Sequence, residues 1–311
     1  MGLNWRQSLA CFGLVLVCLL NSGCSEVGAS SSTQTLVFAY IPSEEDPERR
    51  LHAYNELAEY LTERLGVPVE LKRTASYAPT IEALRANKVD AAIMGSFSYM
   101  IAKQKADIKP LVTRGTETGP GMYHSFIATA PEKNLQSMDD VIADADQLTF
   151  AFVDPASTSG HLIPRAGLEG MGIKPERDFK EVVFAMNHTN SAMTILSGKV
   201  DVGAFQSSSY RRLIERGRMT PDDVRILWQS DPIPNGPVIV RGGLATELID
   251  SITTAFLDMH EANPWLFQEL VRSSGVEGMR YWPANDEMWD GLRDIAYSLD
   301  TMELLKKTPP M

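Results

Sequence analysis

Three short stretches carry residue types suited to holding a small oxyanion. In VDPASTSGHLIPRAG (153–167), the small residues Ser157, Thr158, Ser159 and Gly160 follow an Asp-Pro and precede a helical pattern. Pro155 cannot donate to a strand ladder and biases Asp154 toward extended geometry, so the strand over 148–153 must end there and a helix must start. Ser157, Thr158 or Ser159 then serves as N-cap, and the amides that follow lack helical partners. Those amides, the hydroxyls and the positive end of the helix dipole form a compact donor cluster. The same residues also describe an ordinary capped helix, the commoner use of Ser and Thr at such a place.

A second stretch, AMNHTNSAM (185–193), puts His188 where a strand passes into a helix. An imidazole there can donate to an anion or titrate near neutral pH, or simply cap its own loop. The third, GSFSYMIAK (95–103), sets the Tyr99 phenol near a helix start, where the alternative is to fill a core edge. His161 and Arg165 share one helix face at four-residue spacing; Arg165 either balances ligand charge or lies at the surface, where arginines usually sit.

The surrounding pattern must position these residues. Residues 35–41 read as a buried strand, 46–65 as an amphipathic helix ended by Gly66, 67–72 as a strand, 75–86 as a helix, and 89–95 as a strand running into a helix at Phe97. After a strand at 108–113 and a glycine-rich turn, 123–130 opens a second unit. Its strands fall at 148–153, 181–184 and 200–205, with helices at 159–170 and 189–196. Such alternation predicts mostly parallel sheets covered by helices. VDAAIMGS from Val89 and VDVGAFQS from Val200 echo one another, which short buried strands explain as readily as duplication does. The strands RILWQS and PVIVRG follow, then helices at 246–261, 264–273 and 286–299.

At 311 residues the chain exceeds the usual size of a single core. If it crosses between lobes near Tyr123 and returns near Trp228, residues 35–122 with 229–311 make lobe 1 and residues 123–228 make lobe 2. Two crossings make a two-strand hinge, with a cleft for a ligand between the lobes.

The first 23 residues read as a signal peptide, with Arg6 ahead of an apolar run over 9–20. Twelve apolar residues make about 18 Å of helix, short of a roughly 30 Å hydrocarbon core. The ending Leu20-Asn21-Ser22-Gly23-Cys24 resembles a bacterial lipobox, with Asn21 where that pattern holds Leu. The resemblance implies lipidation at Cys24 and residues 24–34 as a tether, against simple secretion or an uncleaved anchor. Cys11, Cys18 and Cys24 are the only thiols, so the domain beyond them has neither disulfide nor thiol chemistry. Without residues 1–23, 28 basic and 40 acidic side chains remain, a net charge of −12 that argues against nucleic acid. Capturing an anion on such a chain must rely on local dipoles and hydroxyl donors.

Taken together, Asp154-Pro155-Ala156-Ser157-Thr158-Ser159-Gly160 with Pro164, His188, Ser98-Tyr99 after the VDAAI strand, and the opening FAYIPSEEDP resemble one family. It is the phosphate/phosphite/phosphonate solute-binding proteins of ABC transporters, the PhnD-like group of type II periplasmic binding proteins. The likeness runs from about Leu36 to at least Arg241. It implies a two-lobed α/β type II fold, each lobe a mixed, mostly parallel sheet flanked by helices. It also implies a monomeric carrier in the periplasm or cell envelope, with no catalysis, metal or cofactor, whose partners are an inner-membrane permease and its ATPase. In that family the Ser-Thr-Ser run, the downstream His and a cleft Tyr hold the oxyanion. By position, Ser157, Thr158, Ser159, His188 and Tyr99 inherit that role, with Tyr40 as a wall. Gln206 stands where the family commonly carries Asp or Asn, which weakens the choice of an aminoalkylphosphonate. Phosphite, phosphate, methylphosphonate and other small phosphonates stay open.

Two rival functions remain at this stage. A hydrolase would need more than a Ser159/His188 pair, and the chain holds no GxSxG, HExxH, P-loop or GxGxxG motif. A sensory protein presenting anion occupancy to a receptor kinase or chemoreceptor would use the same fold.

Overall fold

The computed structural model describes residues 35–41, 47–271 and 278–299. The expected signal segment, Cys24 and the tether lie outside them. Among the described residues the chain builds two large mixed sheets and a two-stranded link.

The larger sheet has seven strands, in the order Met279–Pro283, Ile108–Thr116, Pro237–Arg241, Ala91–Ile93, Leu36–Tyr40 and Val69–Arg73, with Gly119–Pro120 paired onto Ile108–Thr116. Leu36–Tyr40 runs parallel to both its neighbours, while the pairings around Pro237–Arg241 and Ile108–Thr116 are antiparallel. The smaller sheet has five strands, in the order Arg225–Gln229, Ser125–Thr129, Val202–Gln206, Thr149–Phe152 and Glu181–Phe184. Thr149–Phe152 is parallel to both its neighbours, and the pairings of Ser125–Thr129 are antiparallel.

Buried side chains cover both faces of each sheet, which is why the inner parallel strands Leu36–Tyr40 and Thr149–Phe152 read as continuous apolar runs rather than alternating ones. In the larger sheet Phe38 packs with Leu57, Leu61 and Phe256 on one face. Its neighbour Ala39 packs with Ile81, Phe97 and Trp289 on the other. In the smaller sheet Phe150 and Phe152 meet Leu168 and Phe179 on one side, and Ala151 meets Ile195 and Phe205 on the other.

The echo between VDAAIMGS and VDVGAFQS is structural. Asp90 Oδ2 accepts the N–H of Val37 at 2.8 Å, at the start of the first parallel strand of the larger sheet, and Oδ1 pairs with Arg241 at 2.7 Å. Asp201 Oδ2 accepts the N–H of Thr149 at 2.8 Å, at the start of the matching strand of the smaller sheet, and Oδ1 pairs with Lys133 at 2.6 Å. Each carboxylate satisfies an amide that the sheet ladder leaves over, and each is held by a cation near the end of an antiparallel strand, Arg241 as its last residue and Lys133 shortly after it.

The chain leaves the larger sheet through Met122–Tyr123 and returns through Ile233–Pro234, and these two segments pair antiparallel. The return comes later than Trp228, which is still inside the smaller sheet. Ala156, Leu162 and Ile163 of the smaller lobe pack into the core cluster that holds Phe97 and Trp289, so the lobes touch beside the cleft.

Candidate functional site

Ligands of open α/β sheets bind beyond the carboxyl ends of the parallel strands, and here those ends converge on one cleft from both lobes. Thr149–Phe152 leads to Ser157, Thr158 and Ser159, Glu181–Phe184 to His188, and Val202–Gln206 to Gln206 and Ser208. From the larger lobe, Val69–Arg73 leads to Tyr77 and Ala91–Ile93 to Met94 and Gly95. The cavity measures about 120 Å³, below the roughly 300–1,000 Å³ of pockets for drug-sized ligands.

The cradle is locally determined. Asp154 Oδ1 accepts the N–H of Ala156 at 2.8 Å and fixes the turn. Ser157 then caps the helical turn, its Oγ accepting the N–H of Gly160 at 3.1 Å. The first turn, Thr158–Leu162, is π-helical and passes into the α-helix Ile163–Gly170. Gly160 has no substitute here, because a Cβ would come within 2.3 Å of Val153 Cγ2 and 2.8 Å of Ser157 Oγ. From behind, Val153 N–H donates to Gly160 O at 2.9 Å and Ser125 Oγ donates to Ser159 O at 2.6 Å.

Residues of the opposite lobe and of the link close on these hydroxyls. Thr158 Oγ1 accepts the N–H of Phe97 at 2.9 Å. Phe97 lies in the first turn of the helix Ser96–Lys105, whose N-cap is Gly95 and has no side chain to offer. Thr158 therefore caps a helix across the cleft, and its own proton stays available to an acceptor. The Tyr77 phenol lies beside Ser157, and the Tyr123 phenol lies beside Ser159 and Thr158, all in the wall of one cavity. Burial pushes both phenols above their ordinary range, so they remain protonated donors.

His188 is the first residue of the helix His188–Leu196, and the Asn187 side chain caps that helix by accepting from Asn190 N–H at 2.7 Å. The backbone N–H of Gln206 donates to His188 Nδ1 at 3.2 Å. A neutral ring that accepts at Nδ1 carries its proton on Nε2, and the cleft lined by this ring is thereby given a donor. Burial lowers the pKa of His188 to about 3. It does not titrate near neutrality, contrary to the option the sequence left open.

Ser157, Thr158, Ser159, His188 and Gln206 are thus brought together; the other two expected residues are not. Tyr99 sits one turn into its helix, facing away from the cleft. Its phenol donates to Asp286 Oδ1, and its ring packs edge-on against Trp289 at 5.0 Å. Tyr40 is buried behind the wall: its ring stacks on Tyr54 at 3.5 Å, and Tyr54 with Ile41 faces the cavity. Successive strand residues point to opposite faces, and Ile41 has the cleft side. Arg165 is neither a ligand partner nor a surface residue. It is buried, bonded to Glu169, Glu176 and His161 Nε2, and lies over the Phe152 ring.

Two cations line the cleft that the sequence did not single out, Arg114 from Ile108–Thr116 and Arg212 from the helix Ser207–Glu215. Burial lowers the Arg212 guanidinium to about 9, reinforced by Arg216 and opposed by Glu215, and leaves it charged at neutral pH. Local cations thus stand in the wall beside the hydroxyls and helix starts. Among the described residues no cluster of His, Asp and Glu forms a metal site, and no helix is long and apolar enough to cross a membrane.

The family model for the ABC-transporter phosphonate periplasmic substrate-binding protein matches residues 38–289. The chain belongs to this family. A phosphate-import protein PhnD of Mycolicibacterium smegmatis is 30% identical over 302 residues, covering 90% of this chain and 92% of the relative. A phosphonates-binding periplasmic protein of Escherichia coli is 27% identical over 234 residues, covering 75% of this chain and 69% of that protein. Among solved structures, a binding protein component of an ABC phosphonate transporter from Pseudomonas aeruginosa superposes with a TM-score of 0.76 at 21% identity, covering 90% of this chain and 91% of that one. PhnD1 of Prochlorococcus marinus, solved with methylphosphonate, gives 0.75 at 17% identity, covering 86% and 98%. These structures share the periplasmic-binding-protein fold with this chain. Members of the family are solute-binding proteins rather than enzymes.

In this phosphonate-family binding protein, Tyr77 was the residue the sequence could have yielded. Tyr77 precedes Asp90 by the same thirteen residues that separate His188 from Asp201. Both stand first in a helix that follows the second parallel strand of their sheet. Counting back from the two VD pairs pairs Tyr77 with His188. Arg114, Tyr123 and Arg212 carried no such signal, since only the folded chain brings them to the cleft.

Proposed function

We propose that this protein captures a small phosphorus oxyanion, phosphite, phosphate or a small phosphonate, between its two lobes and delivers it to an ABC permease. Lipidation at Cys24 holds the protein at the membrane, and the paired segments Met122–Tyr123 and Ile233–Pro234 serve as the hinge between the two lobes. It acts as a monomer with no cofactor. The observation that carries the reading is the convergence on one small cavity of the Ser157–Thr158–Ser159 hydroxyls, the Tyr77 and Tyr123 phenols and neutral His188, with two arginines in the wall. Tetrahedral oxyanions need donors from several directions, and the sets from two lobes enclose one only when the lobes approach.

The likeness to a phosphate-import protein and to a structure holding methylphosphonate supports the ligand class. A thermal-shift panel tests it, because a ligand that binds the native state raises the melting temperature. Phosphite, phosphate or methylphosphonate is expected to stabilise the protein in a concentration-dependent way. Stabilisation by sulfate or thiosulfate alone would overturn the ligand class.

A further inference from the structure

A second cavity of about 190 Å³ lies beside the cradle and shares Arg114, Tyr123 and Ser208 with it as a common wall. Its other polar walls are Thr116 and Asn235 from the larger lobe and the link, and Arg211 from the helix Ser207–Glu215 of the smaller lobe. Two arginines, Arg114 and Arg211, thus line one chamber from opposite lobes. Arg114 stands on a fixed base: its carbonyl accepts from Gly121 N–H at 2.9 Å and from Asn235 Nδ2 at 3.4 Å, and Asn235 Nδ2 also donates to Gly121 O at 2.9 Å. The approach is tight enough that a Cβ on Gly121 would lie 2.9 Å from Asn235 Nδ2 and 3.1 Å from the Arg114 carbonyl. The Arg114 charge reaches the common wall, where it acts on the Tyr123 phenol beside Ser159 and Thr158. Burial disfavours the charged form of Arg211 and Glu215 favours it, and an anion placed beside the group would favour it further.

Guanidinium groups bind carboxylates in paired, planar fashion. We infer that the chamber is a second subsite of the cleft, taking the carboxylate of a phosphonate whose short carbon tail runs past Tyr123 from the cradle. The inference rests on the proposed binding of a phosphorus oxyanion by Ser157, Thr158 and Ser159. Selectivity would then run toward carboxyalkylphosphonates and away from tails that end in an ammonium group, which two arginines repel.

Titration calorimetry on the purified protein with methylphosphonate, phosphonoacetate and acetate separates the two levels. Phosphonoacetate is expected to bind roughly tenfold or more tightly than methylphosphonate, the size of one charge-assisted pair, and acetate alone not measurably. Arg211→Gln should remove that gain and leave methylphosphonate affinity within about twofold, since Arg211 lines the second chamber alone. If Arg211→Gln does not fold, Arg211→Lys is read instead; it keeps the charge, loses the planar fork and should retain only part of the gain. Equal or weaker binding of phosphonoacetate, or an equal loss for both ligands in either variant, overturns the subsite while leaving the cradle standing. Failure of every phosphorus oxyanion to bind overturns the cradle reading and the subsite with it.

Discussion

His188 illustrates how burial changes what a residue can do. As a residue type it promised a proton switch near neutral pH; in its place at the head of a helix, with Nδ1 occupied by the Gln206 amide, it is a fixed neutral donor. Burial holds His188 down to about 3 and His161 to about 4, against roughly 6.5 in an unfolded chain. Below that value the unfolded state binds protons that the native state refuses. Stability therefore rises with pH across the window from about 3 to 6.5 and is lost on acidification through it. Denaturant titrations between pH 4.5 and 7 should show this slope, reduced by up to about 1.4 kcal/mol per pH unit in His188→Gln; an unchanged slope would contradict a buried neutral imidazole. Ligand affinity between pH 6 and 8 should follow the ligand's own ionisation, and His188→Gln should lower it by a near-constant factor.

At the scale of elements, the cradle was legible because its chemistry is local. Pro155 ends the strand, Ser157 caps the turn and Gly160 admits Val153, all within a few residues. Gly160→Ala should force Val153 or the turn to move and is expected to cost about 1–3 kcal/mol, typical of overpacking, together with oxyanion affinity. Val153→Ala in the same chain removes the blocking methyl groups and should restore part of the affinity, as measured by calorimetry and thermal melting. Loss without any rescue would show that the glycine matters for another reason. Tyr99 was misplaced because helix phase, not proximity to the helix start, decides which side a residue faces. It lies in the helix Ser96–Lys105, where every residue from Ser96 to Ala102 is buried, so hydrophobic pattern could not tell the cleft side from the core side. The strand Met279–Pro283 is set by tertiary pairing: it pairs with Ile108–Thr116, far away in sequence, and its short MRYWP segment has no alternating pattern to mark it.

At the scale of the molecule, two lobes that share a five-strand arrangement aim matching helix starts at one cleft, Tyr77 from one side and His188 from the other. The sequence carried this as two VD pairs with similar surroundings, and the matching roles of Asp90 and Asp201 give those pairs their meaning. The arginines of the cleft depend on the crossing of the chain between sheets, which local pattern does not encode. Thr158 joins the two scales, because its hydroxyl both lines the cleft and caps the opposite helix through Phe97. Oxyanion capture between the lobes is therefore tested most directly by titration calorimetry of phosphite, phosphate and methylphosphonate into the native protein and the Ser157→Ala/Thr158→Ala variant. The native protein should bind at least one of them with one-to-one stoichiometry, and the variant, with an unchanged circular dichroism spectrum, should bind it roughly a hundredfold or more weakly, as expected for losing two hydrogen bonds to a charged group. Equal affinity in the two proteins would contradict the account.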